Sequence, residues 1–184
     1  MIISFTGAQS TGKSTLFTEC KKDGRFNNFN YEPEITRYVK KKYDLTINEG
    51  GDDITQLAIL NRHMYNYLEY RDKDVLLDRC IVDGLVYTSY QFLKGKVSEE
   101  VSDYATFLFG KLIDKIDIIF YTEPEIPLVD DGERSVNVEF RDTIVNLFEE
   151  AIDHFEIPVV RLSGSMKDRM TTIYKTIDNF KYGK

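Results

Sequence analysis

The most constraining feature of this chain is a glycine-bracketed run near its N-terminus. Residues 7–14 read Gly-Ala-Gln-Ser-Thr-Gly-Lys-Ser, which is a complete G-x-x-x-x-G-K-[ST] pattern. The apolar stretch at residues 2–6 predicts a buried strand, and a helix-forming run begins at Thr15. A glycine-bent turn between a strand and a helix N-terminus directs consecutive backbone N–H groups towards one anion. The pattern therefore predicts a phosphate-binding loop.

The residue types in this loop favour a nucleoside triphosphate held together with magnesium. Gly7 and Gly12 allow the backbone to turn where a side chain would clash. Lys13 is expected to reach the β- and γ-phosphates, and the Ser14 hydroxyl to reach Mg²⁺. The residues predicted to bind the nucleotide in this loop are Gly7, Ala8, Gln9, Ser10, Thr11, Gly12, Lys13, Ser14 and Thr15.

Length and composition predict one globular domain over residues 1–184. The chain is 42% hydrophobic and 30% charged, enough to bury a full core. Its net charge of -7 argues against a long polynucleotide ligand, although it is compatible with a local basic site. The N-terminus lacks signal-peptide features, and no apolar run approaches membrane-spanning length. Cys20 and Cys80 match neither zinc nor disulfide spacing, so we expect free thiols in a cytoplasmic protein.

Hydrophobic periodicity predicts an α/β fold. Strands are predicted at residues 2–6, 29–31, 75–77, 116–121 and 158–162. Helices are predicted between them, including one whose apolar face is Ile54, Leu57, Ala58, Met64, Tyr65 and Leu68. This alternation predicts a P-loop NTPase three-layer sandwich, in which helices cover both faces of a five-stranded parallel sheet.

The segments that follow the strands favour phosphoryl transfer over hydrolysis. Ligands of parallel sheets bind at the carboxyl ends of the strands, so residues 32–37, 78–79, 123–141 and 163–166 should meet the phosphate loop there. The chain has no Asn/Thr-Lys-x-Asp motif for guanine, which favours ATP. Hydrolytic motors and transporters usually place a glutamate after the strand-end aspartate, but here Arg79 follows Asp78. A basic residue suits a second, anionic substrate better than a water molecule.

Three further stretches resemble the ribosylnicotinamide-kinase-type P-loop kinases, which are related to thymidylate and nucleoside kinases. Residues 34–39 (EITRYV) resemble that family's Glu-x-x-Arg, and residues 77–87 (LDRCIVDGLVY) its Asp-Arg-x-x-x-Asp segment. Residues 126–134 (IPLVDDGER) resemble its Pro-Trp-x-x-Asp-Gly-x-Arg. Leu128 stands at the tryptophan position, and the chain has no tryptophan, which argues against nicotinamide riboside as the acceptor.

The strand-end position and the resemblance suggest roles for two carboxylates. Asp78 is expected to hold Mg²⁺ with Ser14, directly or through water; the alternative is an aspartate that caps a turn. Glu34 is the first choice for the general base that accepts the hydroxyl proton, with Asp78 and Glu32 as rivals. Glu34 and Arg37 could instead form a surface pair on a helix.

The arginines of these stretches are candidates for holding the acceptor and the transferred group. Arg37 and Arg79 are expected to bind an acceptor phosphate, or Arg79 to hold the sugar or base of an unphosphorylated acceptor. The resemblance implies a lid at about residues 123–141, from which Arg134 and Arg141 would reach the developing charge. The alternative for both is a solvated surface arginine.

The sequence thus predicts an ATP- and Mg²⁺-dependent kinase for a nucleoside or nucleoside monophosphate. The alternatives are a ribosylnicotinamide kinase, a nucleotide-binding regulatory ATPase, and a kinase for nucleic-acid ends. Gly164 is expected by analogy to border the adenine, and His63 to be a surface or helix-packing residue. Tyr87, Tyr90 and Phe107 are candidates for lining a base pocket. A small nucleoside or nucleotide is the expected partner, without membrane or nucleic acid, and the sequence leaves a homodimer open.

Overall fold

The computed structural model describes residues 1–128 and 136–182, in which parallel strands alternate with helices. The strands are β1 (Ile2–Thr6), β2 (Asn30–Glu32), β3 (Val75–Asp78), β4 (Ile118–Thr122) and β5 (Val159–Leu162). The α-helices are α1 (Lys13–Lys22), α2 (Ile35–Tyr43), α3 (Asp53–Tyr70), α4 (Ile81–Leu93), α5 (Glu99–Leu112), α6 (Val138–His154) and α7 (Met166–Tyr182). Strand β4 begins two residues later than predicted, because the Ile116 N–H donates back to the Ile113 carbonyl and closes the 3₁₀ turn at residues 113–115.

The sheet has the strand order β2-β3-β1-β4-β5, and every neighbouring pair is parallel. Strand β1 is central, with Phe5 in register with Asp78 of β3 on one side and with Phe120 of β4 on the other. The chain builds one half of the sheet with β2 and β3 and then crosses β1 to build the other. Ligands of open α/β sheets bind at such a reversal, beyond the carboxyl ends of the strands. The predicted fold class is confirmed.

Side chains of the strands alternate between two hydrophobic cores. On one face, Ile3 and Phe5 pack with residues of α1 and α7. On the other face, Ile119 and Tyr121 pack with residues of α4, α5 and α6. Helices therefore cover both faces of the sheet, as predicted.

The buried face of α3 is not the one that its apolar residues predict. Ile54, Tyr65 and Leu68 are 62%, 58% and 48% exposed, whereas Gln56 and His63 are buried. Gln56 finds a partner on α4, since its Oε1 atom accepts a hydrogen bond from the Thr88 hydroxyl. A hydrophobicity pattern cannot detect such a face, because its burial depends on hydrogen bonds that form only in the folded chain.

The structure also describes the length and polarity of the helices and the state of the two cysteines. Within residues 1–128 and 136–182, no helix combines the length and the apolar character needed to cross a membrane. Cys20 and Cys80 are buried free thiols, as predicted, and burial raises the pKa of each to about 12. Both are therefore protonated and unreactive at neutral pH.

Candidate active site

The phosphate loop joins β1 to α1 at the carboxyl edge of the central strand. Gly7 and Gly12 have φ values of 130° and 92°, in the region that favours glycine. A Cβ atom on Gly7 would lie 2.8 Å from the Thr122 Oγ1 atom and 3.0 Å from the Thr122 carbonyl oxygen. The end of β4 therefore requires glycine at position 7 by contact, in addition to the backbone conformation.

Lys13 is the first residue of α1, and its ammonium group is turned back into the loop. Its Nζ atom donates to the Ala8 carbonyl and to the Thr11 hydroxyl, the latter at 3.2 Å. The side chain is buried, and burial together with the neighbouring Arg79 charge lowers the pKa of Lys13 to about 7. A triphosphate on the loop would supply the negative charge that favours the protonated form.

Arg169 supports the loop from the opposite end of the chain. It lies in α7, is 2% exposed, and its Nη1 atom donates to the Thr11 carbonyl at 2.7 Å. Its Nε atom donates to the Gly164 carbonyl at 3.1 Å, and its Nη2 atom to the Glu125 carboxylate at 2.9 Å. One guanidinium thus connects the phosphate loop with the segments that follow β4 and β5.

Arg169 is not among the site residues predicted from the sequence, although the sequence carries a signal for it. Arg169 lies four and eight residues before Ile173 and Ile177, which are buried on the same face of α7. Helical spacing therefore places this arginine on the buried side. A charged residue on a buried face needs partners, so such a position is a candidate for a supporting role.

Asp78 ends β3 next to the loop and has the properties of a magnesium ligand. It is 4% exposed, and its Oδ1 atom has no hydrogen-bond partner among the described residues. Burial and the neighbouring Glu34 raise the pKa of Asp78, against the effects of Arg79, Lys13 and a hydrogen bond with Ser14. A buried carboxylate oxygen without a partner, next to a hydroxyl, fits Mg²⁺, which prefers oxygen ligands.

Other metal sites are not evident in the part of the chain that the structure describes. No group of three or more His, Cys, Asp or Glu side chains there is arranged to hold a metal ion. A magnesium ion at Ser14 and Asp78 would therefore need phosphate and water oxygens to complete its coordination, which is its usual mode in nucleotide sites.

Arg79 and Glu34 form a buried ion pair beside the loop. The Arg79 Nε atom donates to Glu34 Oε1 at 2.9 Å, and its Nη1 atom donates to Asp83 Oδ1 at 2.7 Å and to the Gly7 carbonyl at 3.4 Å. Arg79 has a φ of 91°, a left-handed conformation that costs of order 1 kcal/mol outside glycine. Such strain persists where the surroundings enforce it, and it is common at functional sites.

Glu34 contacts both Arg37 on its own helix and Arg79 beside the phosphate loop. Its Oε2 atom accepts from the Arg37 Nε atom at 3.1 Å, which is the helix pair, while Oε1 faces Arg79 in the site. Burial disfavours the ionised carboxylate, but the charges of Arg79 and Lys13 outweigh it and lower the pKa of Glu34. The rival Glu32 is bound elsewhere, to Arg62 at 2.6 Å and to Tyr70 at 3.1 Å.

Asp83 bonds to Arg79 through a different guanidinium nitrogen from the one that bonds to Glu34. It belongs to the Asp-Arg-x-x-x-Asp segment, in which no role was predicted for it. Its Oδ1 atom accepts from Arg79. Its Oδ2 atom accepts from the Thr6 hydroxyl at 2.7 Å and from the Cys80 N–H at 3.1 Å. Asp83 therefore connects the end of β1, the start of α4 and the arginine. The four-residue spacing of the opposite charges of Arg79 and Asp83 was the available signal, although Arg79 itself precedes α4.

Two pockets meet at Glu34 and Arg79. The first is the phosphate-loop pocket, lined by residues 9–14 together with this pair. The second, which we call the acceptor pocket, contains about 440 Å³ of empty volume including its open mouth. The acceptor pocket is lined by Glu34, Thr36, Asn48, Gln56, Ile59, His63, Arg79, Asp83, Gly84 and Tyr87.

The aromatic and histidine candidates separate clearly in the structure. Tyr87 lines the acceptor pocket, and its hydroxyl donates to Gln9 Oε1 of the loop at 3.2 Å. His63 also lines the acceptor pocket, and burial with a smaller effect of Arg79 lowers its pKa to about 3. It is therefore a neutral, helix-packing residue. Tyr90 is buried against Phe140, with ring centroids 4.8 Å apart, and Phe107 is 59% exposed.

The other predicted residues lie around this centre. The Arg141 Nη2 atom donates to the Pro124 and Ile126 carbonyls at 3.1 and 2.6 Å, so this arginine holds the backbone after β4. Thr15 is exposed on α1. Gly164 has a φ of 78°, and its N–H donates to Glu125 Oε2 at 2.7 Å. Arg134, with most of the lid motif, lies outside the described residues.

Comparisons with known proteins agree with the fold. Residues 2–169 match the protein family described as AAA domain. No curated protein matches the sequence. Among solved structures, the chain is similar to NadR protein in complex with NAD and AMP-PNP, at 18% identity and a TM-score of 0.69, over 97% of this chain and 49% of the NadR chain. NadR in complex with NR is 19% identical, with a TM-score of 0.73, over 97% of this chain and 51% of that NadR chain.

A second similar protein is one that the chain covers completely. Deoxyadenosine kinase from M. mycoides with bound dATP is 14% identical, with a TM-score of 0.68, over 97% of this chain and 99% of that chain. By contrast, this chain spans about half the length of the NadR chains. At these identities the likeness establishes the shared fold.

Proposed function

This chain belongs to the AAA domain family, and we propose that it is an ATP- and Mg²⁺-dependent kinase for a nucleoside or nucleoside monophosphate. One observation carries the proposal: Glu34 and Arg79 line both the phosphate-loop pocket and the acceptor pocket. A carboxylate and a guanidinium at the junction of two pockets are placed where an acceptor hydroxyl would meet a γ-phosphate. Hydrolysis requires no second pocket.

In the proposed reaction, Glu34 is the general base. Its lowered pKa keeps it ionised at neutral pH, ready to accept the proton of the acceptor hydroxyl. The hydroxyl oxygen forms a bond to the γ-phosphorus while the bond to the β–γ bridging oxygen breaks, which releases ADP. Lys13 and Arg79 stabilise the charge that develops on the transferred group. When Mg²⁺ is bound, held by Ser14 and Asp78, it neutralises charge on the β- and γ-phosphates.

Within this class, the pairing of Arg79 favours an acceptor that carries no phosphate. Both Arg79 Nε and Nη1 are already bonded to carboxylates, of Glu34 and Asp83. The rest of the lining includes the neutral hydrogen-bonding groups of Asn48, Gln56 and His63. Such groups suit a base and a sugar, whereas an acceptor phosphate would compete with the Glu34 and Asp83 carboxylates for the charge of Arg79. We therefore favour a nucleoside, with the monophosphate as the second candidate.

The names of the similar structures support this choice without deciding it. One of the two proteins is a deoxyadenosine kinase, and the other has been solved with NR. A ribosylnicotinamide kinase remains the alternative within the enzymes, and Leu128 in place of tryptophan argues against it. A regulatory ATPase is disfavoured because it would leave the acceptor pocket without a role.

The lid and the adenine site belong to the same proposal. Residues 123–141 would cover the phosphates as a lid within a single kinase domain of residues 1–184. Arg141 would hold the base of this lid through the Pro124 and Ile126 carbonyls, and Arg134 would approach the transferred group. Gly164 would border the adenine, since Arg169 connects it to the phosphate loop.

The test is an ADP-release assay with ATP and Mg²⁺ across a panel of nucleosides, nucleoside monophosphates and nicotinamide riboside. We expect one or more nucleosides to stimulate ADP release strongly, with phosphate recovered on the acceptor. The Lys13→Ala variant should remain folded and lose this stimulation. Stimulation by no acceptor, with intact ATP binding, would refute the kinase in favour of the regulatory ATPase.

A further inference from the structure

A second surface feature lies on the outer side of α2 and α3, away from the acceptor pocket. Between these helices is an open groove with about 750 Å³ of empty volume, which we call the α2–α3 groove. Its walls include Tyr38, Tyr43, Leu45, Ile54, Arg62 and Tyr65. None of the described residues that line it is acidic. The groove takes no part in the proposed phosphoryl transfer.

The aromatic side chains of the groove are held at the surface. Tyr43 and Tyr65 are 53% and 58% exposed, and Tyr38 is 36% exposed. Ile54 beside them is 62% exposed. Single exposed apolar residues are normal on a protein surface, but a cluster that lines one concave surface indicates a binding site.

Helix α2, which forms one wall of the groove, is basic although the protein as a whole is acidic. The whole chain has 31 acidic and 24 basic residues, yet residues 35–43 contain Arg37, Lys40, Lys41 and Lys42 and no acidic residue. The Lys42 Nζ atom lies 5.1 Å and 5.2 Å from the ring centroids of Tyr38 and Tyr43. The Arg62 guanidinium lies 4.8 Å from the ring centroid of Tyr38 and is also paired with the Glu32 carboxylate at 2.6 Å. Rings and cations are therefore interleaved.

We propose that the α2–α3 groove binds single-stranded nucleic acid. Exposed aromatic rings stack on unpaired bases, and neighbouring lysines neutralise the phosphates between them. A duplex would not stack on the tyrosine rings, because its bases are paired, whereas single-stranded bases can. An apolar peptide would not use the lysine charges, whereas the phosphates of a nucleic acid would. The short basic strip matches a few nucleotides, and the negative charge elsewhere disfavours longer contact.

The position of the groove relates it to the active site. Helix α2 carries Tyr38 and Tyr43 in the groove, while Glu34 and Thr36 at its beginning line the acceptor pocket. A single-stranded nucleic acid that runs along α2 towards the N-terminus of this helix would therefore arrive at Glu34. Binding in the groove is independent of the proposed kinase activity and can be measured without ATP.

The test is fluorescence anisotropy of a labelled fifteen-nucleotide oligothymidylate with the full chain, without ATP or Mg²⁺. We expect saturable binding that weakens with salt, with a slope of log K against log[salt] of about −2 for about three phosphate contacts. Tyr65→Ala and Lys42→Glu should each lower the affinity at least tenfold.

A matched control is available on α5, where the Lys111 Nζ atom lies 5.4 Å from the centroid of the exposed Phe107 ring. Phe107→Ala and Lys111→Glu make the same changes in ring content and charge at a different surface, and should leave the affinity within twofold. Circular dichroism and thermal unfolding verify that all four variants fold.

Three results would overturn the proposal. The first is the absence of saturable binding at low salt. The second is a reassignment of the binding site. An equal loss of affinity in the α5 controls would assign binding to general charge, and displacement of the oligonucleotide by ATP would assign it to the phosphate loop. The third is a dimer in sedimentation that Tyr65→Ala dissociates, without oligonucleotide binding, which would make the groove a subunit interface.

Discussion

The Nη1 atom of Arg169 donates a hydrogen bond of 2.7 Å to the carbonyl oxygen of Thr11, which joins the last helix to the middle of the phosphate loop. A backbone carbonyl in this loop points away from the phosphate so that the neighbouring N–H groups can face it. A buried carbonyl needs a donor, and Arg169 supplies one here and another at Gly164. The shape of the loop therefore depends on α7.

Replacing Arg169 with glutamine should destabilise the fold and weaken ATP binding. The change leaves the buried Thr11 carbonyl unpaired, at about 1–3 kcal/mol, and also removes the hydrogen bonds to Gly164 and Glu125. We expect the free energy of unfolding in urea to fall by about 2–4 kcal/mol, with a smaller fall for Arg169→Lys, which keeps the charge without the fork. The control is Arg161→Gln, since Arg161 is 42% exposed in its pairs with Glu123 and Glu149. The Arg161→Gln change should lower the free energy of unfolding by about 1 kcal/mol or less. An equal decrease for both glutamine variants would contradict the role of Arg169.

ATP binding should take up a proton at mildly alkaline pH. In the free protein, burial and Arg79 lower the pKa of Lys13 to about 7, so at pH 8 most of it is neutral. A bound triphosphate favours the ammonium form of Lys13 and raises its pKa. The complex therefore binds more protons than the free protein and free ATP together. ATP affinity should therefore fall as the pH rises above 7.

Calorimetry at pH 8 in buffers of different ionisation enthalpy measures this uptake. We expect a value approaching one proton for the unmodified chain and close to zero for Lys13→Met. An uptake that persists in Lys13→Met would assign the proton to another group.

Glu34→Gln should lower kcat by about 10²–10⁴-fold, because an amide cannot accept the hydroxyl proton. The KM for the acceptor should change much less. Glu32→Gln is the matched control, since Glu32 is bonded to Arg62 and Tyr70 and lines neither pocket. That variant should keep kcat within a few-fold while losing some stability. A loss for Glu34→Gln confined to KM would make Glu34 a binding residue.

Asp78→Asn should stabilise the free chain and impair its use of magnesium. Burial and Glu34 raise the pKa of Asp78 above its unfolded value. Its ionisation therefore costs folding free energy that grows as the pH rises through the ordinary range of a carboxyl group, and the amide removes this cost at pH 7. We expect a higher Tm at pH 7, and at least a tenfold rise in the Mg²⁺ concentration for half-maximal activity.

The exposed Asp114→Asn change should alter neither quantity. An unchanged Mg²⁺ requirement in Asp78→Asn would show that Asp78 caps a turn instead of binding the metal.

Gly7→Ala should destabilise far more than Gly95→Ala, although both positions have positive φ. At Gly7 the new Cβ atom would lie 2.8 Å from Thr122 Oγ1, whereas at Gly95 nothing lies within 4 Å. The Gly95 change adds only backbone strain of about 1 kcal/mol. Thermal unfolding should separate the two, and a comparable loss would mean that β4 moves away from the loop easily.

Part of this protein could be predicted because the information is contiguous in the chain. The phosphate loop needs two glycines, a lysine and a serine at consecutive spacing, and the strands before and after it follow from local apolar runs. The carboxyl ends of parallel strands share one edge, so the meeting of Lys13 with Asp78 and Arg79 followed from the fold class alone. These elements depend on neighbours in the sequence.

Other features needed the tertiary structure, because their partners are distant or polar. Arg169 meets Thr11 across 158 positions, and Arg79 meets Glu34 across 45. Helix α3 buries Gln56 and His63 and exposes Tyr65, the reverse of what a hydrophobicity pattern predicts. The free energy of burying a polar or charged side chain depends on which donor or acceptor faces it, and a sequence does not state that. The chain alone determined the loop and the sheet, and only folding decided which charges and hydrogen bonds complete the site.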